Sequence, residues 1–149
     1  MRPEKIRLAR RNPKGPPGKG GTDARWYAFR DAVRHRDYVQ AQKLLDADRT
    51  VLDLRNQTGE TVLHWLAVEN EQNGVAWLRL KGADINTKNK FGTPVIFEVA
   101  QLGYKDMFRW LADVGADLKA VDQYGQGLVE FLEEFKKTEM VAFVREFGV

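Results

Sequence analysis

Three glycines, Gly59, Gly92 and Gly125, stand 33 residues apart, and the tripeptide Gly82-Ala83-Asp84 returns 33 residues later as Gly115-Ala116-Asp117. Two independent landmarks on one period of this length point to a chain built from stacked copies of a single supersecondary unit. The apolar positions keep the same register. Leu63, Ile96 and Val129 fall in line, as do Trp77, Trp110 and Phe143, with Leu78, Leu111 and Val144 beside them. Counting back one period places Leu44 and Leu45 under Trp77 and Leu78, so an earlier unit begins near Trp26.

Within a unit the apolar residues follow helical spacing in two short runs. A polar turn parts the runs, for example Val68-Glu69-Asn70-Glu71 or Gln101-Leu102-Gly103-Tyr104. Each unit therefore reads as a helical hairpin. The Gly of Gly-Ala-Asp closes its second helix in the left-handed conformation, and the next glycine permits a tight turn. The expected fold is all-α, a solenoid of about four stacked hairpins with protruding turns over residues 23–149. The units fall at about 23–56, 57–89, 90–122 and 123–149.

Residues 1–22 differ in character. They carry Arg2, Lys5, Arg7, Arg10, Arg11, Lys14 and Lys19 against Glu4, a balance of +6, whereas the rest holds 17 basic and 20 acidic residues. The stretch Asn12-Pro13-Lys14-Gly15-Pro16-Pro17-Gly18-Lys19-Gly20-Gly21 breaks any helix and reads as a linker. Residues 2–11, with Ile6 and Leu8 as apolar anchors, could form a short helix on a partner, marginal when alone. A basic, flexible N-terminal arm is the expectation.

Other classes are excluded by what the chain lacks. Without cysteine it has no disulfide, thiolate nucleophile or cysteine-ligated metal. It has neither an eighteen-residue apolar run nor the apolar core of a secretory signal in residues 1–11, so a cytoplasmic, monomeric protein is expected. A phosphate-cradling loop, a paired-histidine zinc helix and a nucleophile elbow are all missing from the sequence. His35 has no catalytic partners in evidence. No enzyme activity, cofactor or metal is expected.

The segment Gly59-Glu60-Thr61-Val62-Leu63-His64-Trp65-Leu66-Ala67 is similar to the Gly-x-Thr-Pro-Leu-His-x-Ala-Ala signature of ankyrin repeats. Gly82-Ala83-Asp84-Ile85-Asn86 resembles that family's Gly-Ala-Asp-Val-Asn turn. The resemblance covers residues 26–149 and is strongest over 57–122. It departs at Pro94 and Phe97 in one unit and at Gly127, Glu130 and Glu133 in the last, as an exposed capping unit would. The first unit lacks the signature. The resemblance makes His64 structural, its ring tying one turn to the next through backbone, and leaves Trp26, Trp65, Trp77 and Trp110 to the core.

It also implies a concave face, made of turn tips and first helices, that binds a protein. Carried over by register, its contacts are Arg55, Gln57, Thr58 and Glu60, then Lys88, Lys90, Phe91 and Thr93, then Gln123, Tyr124 and Gln126. The helix ends add Arg36, Val68, Glu69, Gln101, Leu102, Glu134 and Phe135. Phe91 and Tyr124 are the sharpest candidates, as aromatic anchors on tips, unless they pack on a neighbouring tip. Arg55, Lys88 and Lys90 face an acidic partner or only keep the surface soluble. Glu130, Glu133, Glu134 and Glu139 read as a solvated cap. The expected function is an interaction module for one protein target, as an inhibitor or immunity protein of a toxin or effector. In a second reading the arm tethers an adaptor to nucleic acid or an anionic membrane. In a third it folds back on the acidic repeats.

Overall fold

The computed structural model describes residues 21–149. The expectations for residues 1–20 lie outside them. Eight α-helices follow in pairs among the described residues: α1 Ala24–Arg34 and α2 Tyr38–Ala47, α3 Val62–Val68 and α4 Gln72–Leu80, α5 Val95–Gln101 and α6 Lys105–Asp113, α7 Leu128–Glu134 and α8 Thr138–Arg145. A 3-10 turn, Arg49–Asp53, joins the first pair to the second. None of these helices is long and apolar enough to cross a membrane.

Helices this short are marginal alone, so local caps start them and packing keeps them. Asp23, Asp37 and Thr61 accept from the amides of Arg25, Gln40 and His64 at the starts of α1, α2 and α3. Between the two helices of each pair stands one left-handed residue: Arg36 (φ 60°), Asn70 (59°), Gly103 (77°) and Lys136 (59°). The first step in this series is 34 residues and the next two are 33, so the first hairpin sits one residue out of the period read from the glycines.

The first helices form one row, in which α1 packs on α3, α3 on α5 and α5 on α7, with each second helix behind its own partner. Leu45, Leu78, Leu111 and Val144, one per unit, are all buried in the shared core. Trp77 and Trp110 are half-buried and pack against it. Trp77 crosses into the first unit, where it stacks on Tyr38 with ring centroids 5.3 Å apart.

Each pair of neighbouring first helices meets through the same two register positions, filled differently each time. Arg30 lies over the Trp65 ring at 4.7 Å. His64 Nε2 meets Glu98 Oε1 at 2.7 Å. Phe97 packs on Phe131 at 5.1 Å between centroids.

The turns that protrude between units are built alike. Asn56 Oδ1 accepts from the amides of Thr58 and Glu60, Asn89 Oδ1 from Phe91 and Thr93, and Asp122 Oδ1 from Tyr124 and Gln126. Each turn closes on a glycine at the same left-handed angle, φ 74° at Gly59 and 75° at Gly92 and Gly125. A β-carbon at Gly59 would overlap the Lys90 backbone nitrogen and one at Gly92 would lie 2.8 Å from Gln123 Cβ, whereas one at Gly125 would meet nothing.

The three glycines are thus equal in backbone angle and unequal in crowding, which separates two costs. Gly125→Ala bears the left-handed conformation alone and is expected to lose about 1–2 kcal/mol. Gly92→Ala must also push two tips apart and is expected to lose about 3 kcal/mol or more. Denaturant titration of both variants measures the difference; equal losses would show that tip contact contributes nothing.

Candidate protein-binding face

The tips form a row because each is fastened to the next. Lys90 N donates to Thr58 O at 3.1 Å, a main-chain bond from one tip to its neighbour. One period apart, Arg55 and Lys88 act as side-chain staples. Arg55 Nη1 donates at 2.7 Å to both Gly59 O and Lys88 O, and its Nη2 reaches Thr87 Oγ1 at 3.1 Å. Lys88 Nζ in turn donates to Val121 O at 2.9 Å. Both cations are exposed yet committed to holding units together, a role the sequence reading does not assign to them.

The remaining candidates divide by exposure. Gln57, Lys90 and Gln123 are exposed on the tips, with Tyr124 at 53%. Phe91 is half-buried, and Lys90 Nζ lies 5.3 Å above its ring. Thr58 and Gln126 are half-buried beside them. Arg36 is exposed at the far end of the face, in the first hairpin turn, with Glu69, Leu102, Glu134 and Phe135 at the ends of the later first helices. Glu60, Val68, Thr93 and Gln101 are buried, at 1%, 4%, 0% and 7% exposure. The structure therefore brings the exposed tip residues together in one row and withdraws these four from solvent.

Under the tips lies a polar network that the sequence reading misses. His64 Nε2 pairs with the Glu98 carboxylate, so the ring is tied to the next unit by a side chain, where a backbone partner was expected. Asn89 Nδ2 donates to the same Glu98 oxygen at 3.0 Å. One unit earlier Glu60 Oε1 accepts from Thr58 Oγ1 at 2.7 Å and Asn56 Nδ2 at 3.2 Å, and Trp26 Nε1 donates to Glu60 O at 3.0 Å. Donor atoms of Glu60, His64 and Glu98, all three buried, lie within 4.8 Å of one another. A carboxylate in such a place costs free energy unless donors surround it. This explains why two of the three tip-capping residues are asparagine: the oxygen caps the turn and the amide supplies a donor to the carboxylate. The signal was present in the sequence, since Asn56, Asn89 and Asp122 share the period of the glycines.

At the hairpin ends of the last two units a groove of about 410 Å3 is lined by Gln101, Leu102, Lys105, Lys136, Lys137 and Glu139. Lys105 Nζ and Glu139 Oε1 meet there at 2.7 Å. That hydrogen bond and the lysine's charge hold the Glu139 carboxyl below its ordinary range. Glu130, expected as part of a solvated cap, also accepts from Gly127 N at 3.2 Å and starts α7.

Asn89→Asp tests the network. The aspartate keeps both turn-capping bonds but faces Glu98 with a second negative charge in place of a donor, and is expected to cost about 3 kcal/mol near neutral pH. Each carboxylate raises the other's pKa in the folded state, so the loss relative to wild type shrinks as acid protonates the pair. Denaturant midpoints of the two proteins near pH 5 and pH 8 measure it; a loss independent of pH would remove the charge argument.

A comparison with curated proteins finds no match. A family model for ankyrin repeats, in 3 copies, matches residues 29–122. That span contains three of the four left-handed hairpin residues, both staples and the whole buried network. The recurrent tip, the helical pair behind it and this match make one case: the chain belongs to the ankyrin-repeat family.

Proposed function

We propose that the chain binds one protein partner through the row of tips carrying Gln57, Lys90, Phe91, Gln123 and Tyr124, and acts on that partner as an inhibitor or immunity protein. Ankyrin repeats generally mediate protein–protein interaction and are typically not enzymes. The observation that carries the reading is the division of labour along the tips. Turn-capping oxygens, tip glycines and staples fix the main chain, which leaves the exposed side chains on a preorganised support. Such a support lowers the ordering cost that a flexible loop meets on binding. Tyr124, 53% exposed on a fixed turn, is an aromatic of the kind that anchors interfaces.

The test is affinity purification with the wild-type chain and with Phe91→Ala plus Tyr124→Ala. A single protein is expected to co-purify in stoichiometric amount with the wild type, to bind the double variant at least about tenfold more weakly, and to lose its own activity when bound. Unchanged affinity of the double variant would move the interface off the tips, and a bound partner with full activity would end the inhibitor reading.

A further inference from the structure

All seven residues of α3 and all seven of α5 are buried. A helix in a stack is covered on two flanks by its neighbours in the row and at the back by the second layer. The described partners supply those three sides, as α3 packs on α1, α4, α5 and the 3-10 turn, and α5 on α3, α6, α7 and α8. The fourth side is the concave front, where register places Val68 and Gln101, and these are as deeply buried as core residues. The last first helix, α7, holds only Leu128, Phe131 and Leu132 buried, so the covering is centred on the two middle units.

What the front offers is negative and rich in acceptors. Glu60 and Glu98 lie there with His64 between them. The Gln101 amide oxygen is buried with no hydrogen-bond partner among the described residues. A buried acceptor in that state calls for an N–H donor. Two carboxylates and an amide oxygen suit the planar fork of a guanidinium, which presents five donors and a full charge at once.

We propose that the front of α3 and α5 is a receptor for cationic side chains, and that its occupant is the chain's own segment 1–20. The charge is complementary: residues 2–11 hold Arg2, Lys5, Arg7, Arg10 and Arg11 against Glu4, while residues 23–149 are net acidic. The attachment point is in the right place. Thr22 accepts from Gln57 N at 3.1 Å, so the chain joins the stack at the first tip, one turn of backbone from Glu60. The ten residues 12–21 can span about 30 Å when extended, and neighbouring helices lie only about 10 Å apart, so residues 2–11 reach Glu98. Being tethered, they compete at an effective concentration in the millimolar range. A partner that uses this face must displace the segment first. The inference stands on the buried front and is independent of the proposed partner.

The chain has no cysteine, so introduced thiols report cleanly. In the full-length protein, Val68→Cys is expected to react with a thiol reagent at least about tenfold more slowly than the exposed control Glu133→Cys, and to gain about tenfold when Arg2, Lys5, Arg7, Arg10 and Arg11 are all changed to glutamine. With the arm charges intact, the pair Ile6→Cys and Val68→Cys is expected to form an intramolecular disulfide on mild oxidation, which keeps the test decisive should the neutralised variant fold poorly. Labelling that ignores the arm charges, together with no cross-link, would overturn the proposal. So would protection that follows added Zn2+ and not the arm, since that outcome assigns Glu60, His64 and Glu98 to a metal ion.

Discussion

A single side-chain oxygen at each tip, on Asn56, Asn89 and Asp122, accepts two amides of its own turn, and the stack depends on this bond. The tips leave their backbone amides without a sheet to join, and unpaired buried amides are costly. The Asx oxygen satisfies them locally and fixes the turn in one shape. Only because all three turns share that shape can Lys90 N reach Thr58 O, and can Arg55 and Lys88 reach carbonyls one unit away. Local turn chemistry therefore sets the spacing at which the helices behind the tips must pack.

Repetition creates its own hazard, because identical interfaces would let units pair in the wrong order. Here the three interfaces between first helices differ in kind: cation over ring at Arg30 and Trp65, imidazole with carboxylate at His64 and Glu98, ring on ring at Phe97 and Phe131. Moving a unit by one step would set Phe97 against a carboxylate or His64 against Phe131. Either leaves a buried charged or polar group without its partner, which is the kind of penalty that specifies an arrangement. The ends are closed by other means. Arg25 bridges Asp23 and Asp48 at the start, both at 2.7 Å, and Phe108, Phe143 and Phe147 form an aromatic cluster at the finish.

The helical hairpins, the left-handed glycines and the buried leucine line at Leu45, Leu78 and Leu111 were legible in the sequence, because each is set by local spacing or by the period. The burial of Glu60 and Gln101 was not. A register position that looks like surface in one unit becomes interior once its neighbours are in place, and periodicity carries no information on what those neighbours are. Glu98 escaped notice for a related reason. It occupies the place of Trp65 one unit on, and its meaning depends on His64 in the preceding unit. The one-residue offset of the first hairpin was hidden because Arg36 takes a left-handed angle that glycine takes at Gly103, with no change in the apolar pattern to mark it.

The staples also bear on how a binding surface can vary in a stack of this kind. Arg55 and Lys88 are exposed and charged, which by composition alone places them among recognition residues, yet each spends its donors on the main chain of the next unit. Changing them would alter the support as well as the surface. Gln57, Lys90, Gln123 and Tyr124 stand on the same turns and project from tips whose angles the Asx oxygens and glycines already hold. A surface can be rewritten at such positions with little cost to stability, since substitutions away from core, cap and buried network usually change stability by only about 0.5 kcal/mol. The repeat thus separates the residues that make the platform from those free to specify what it holds.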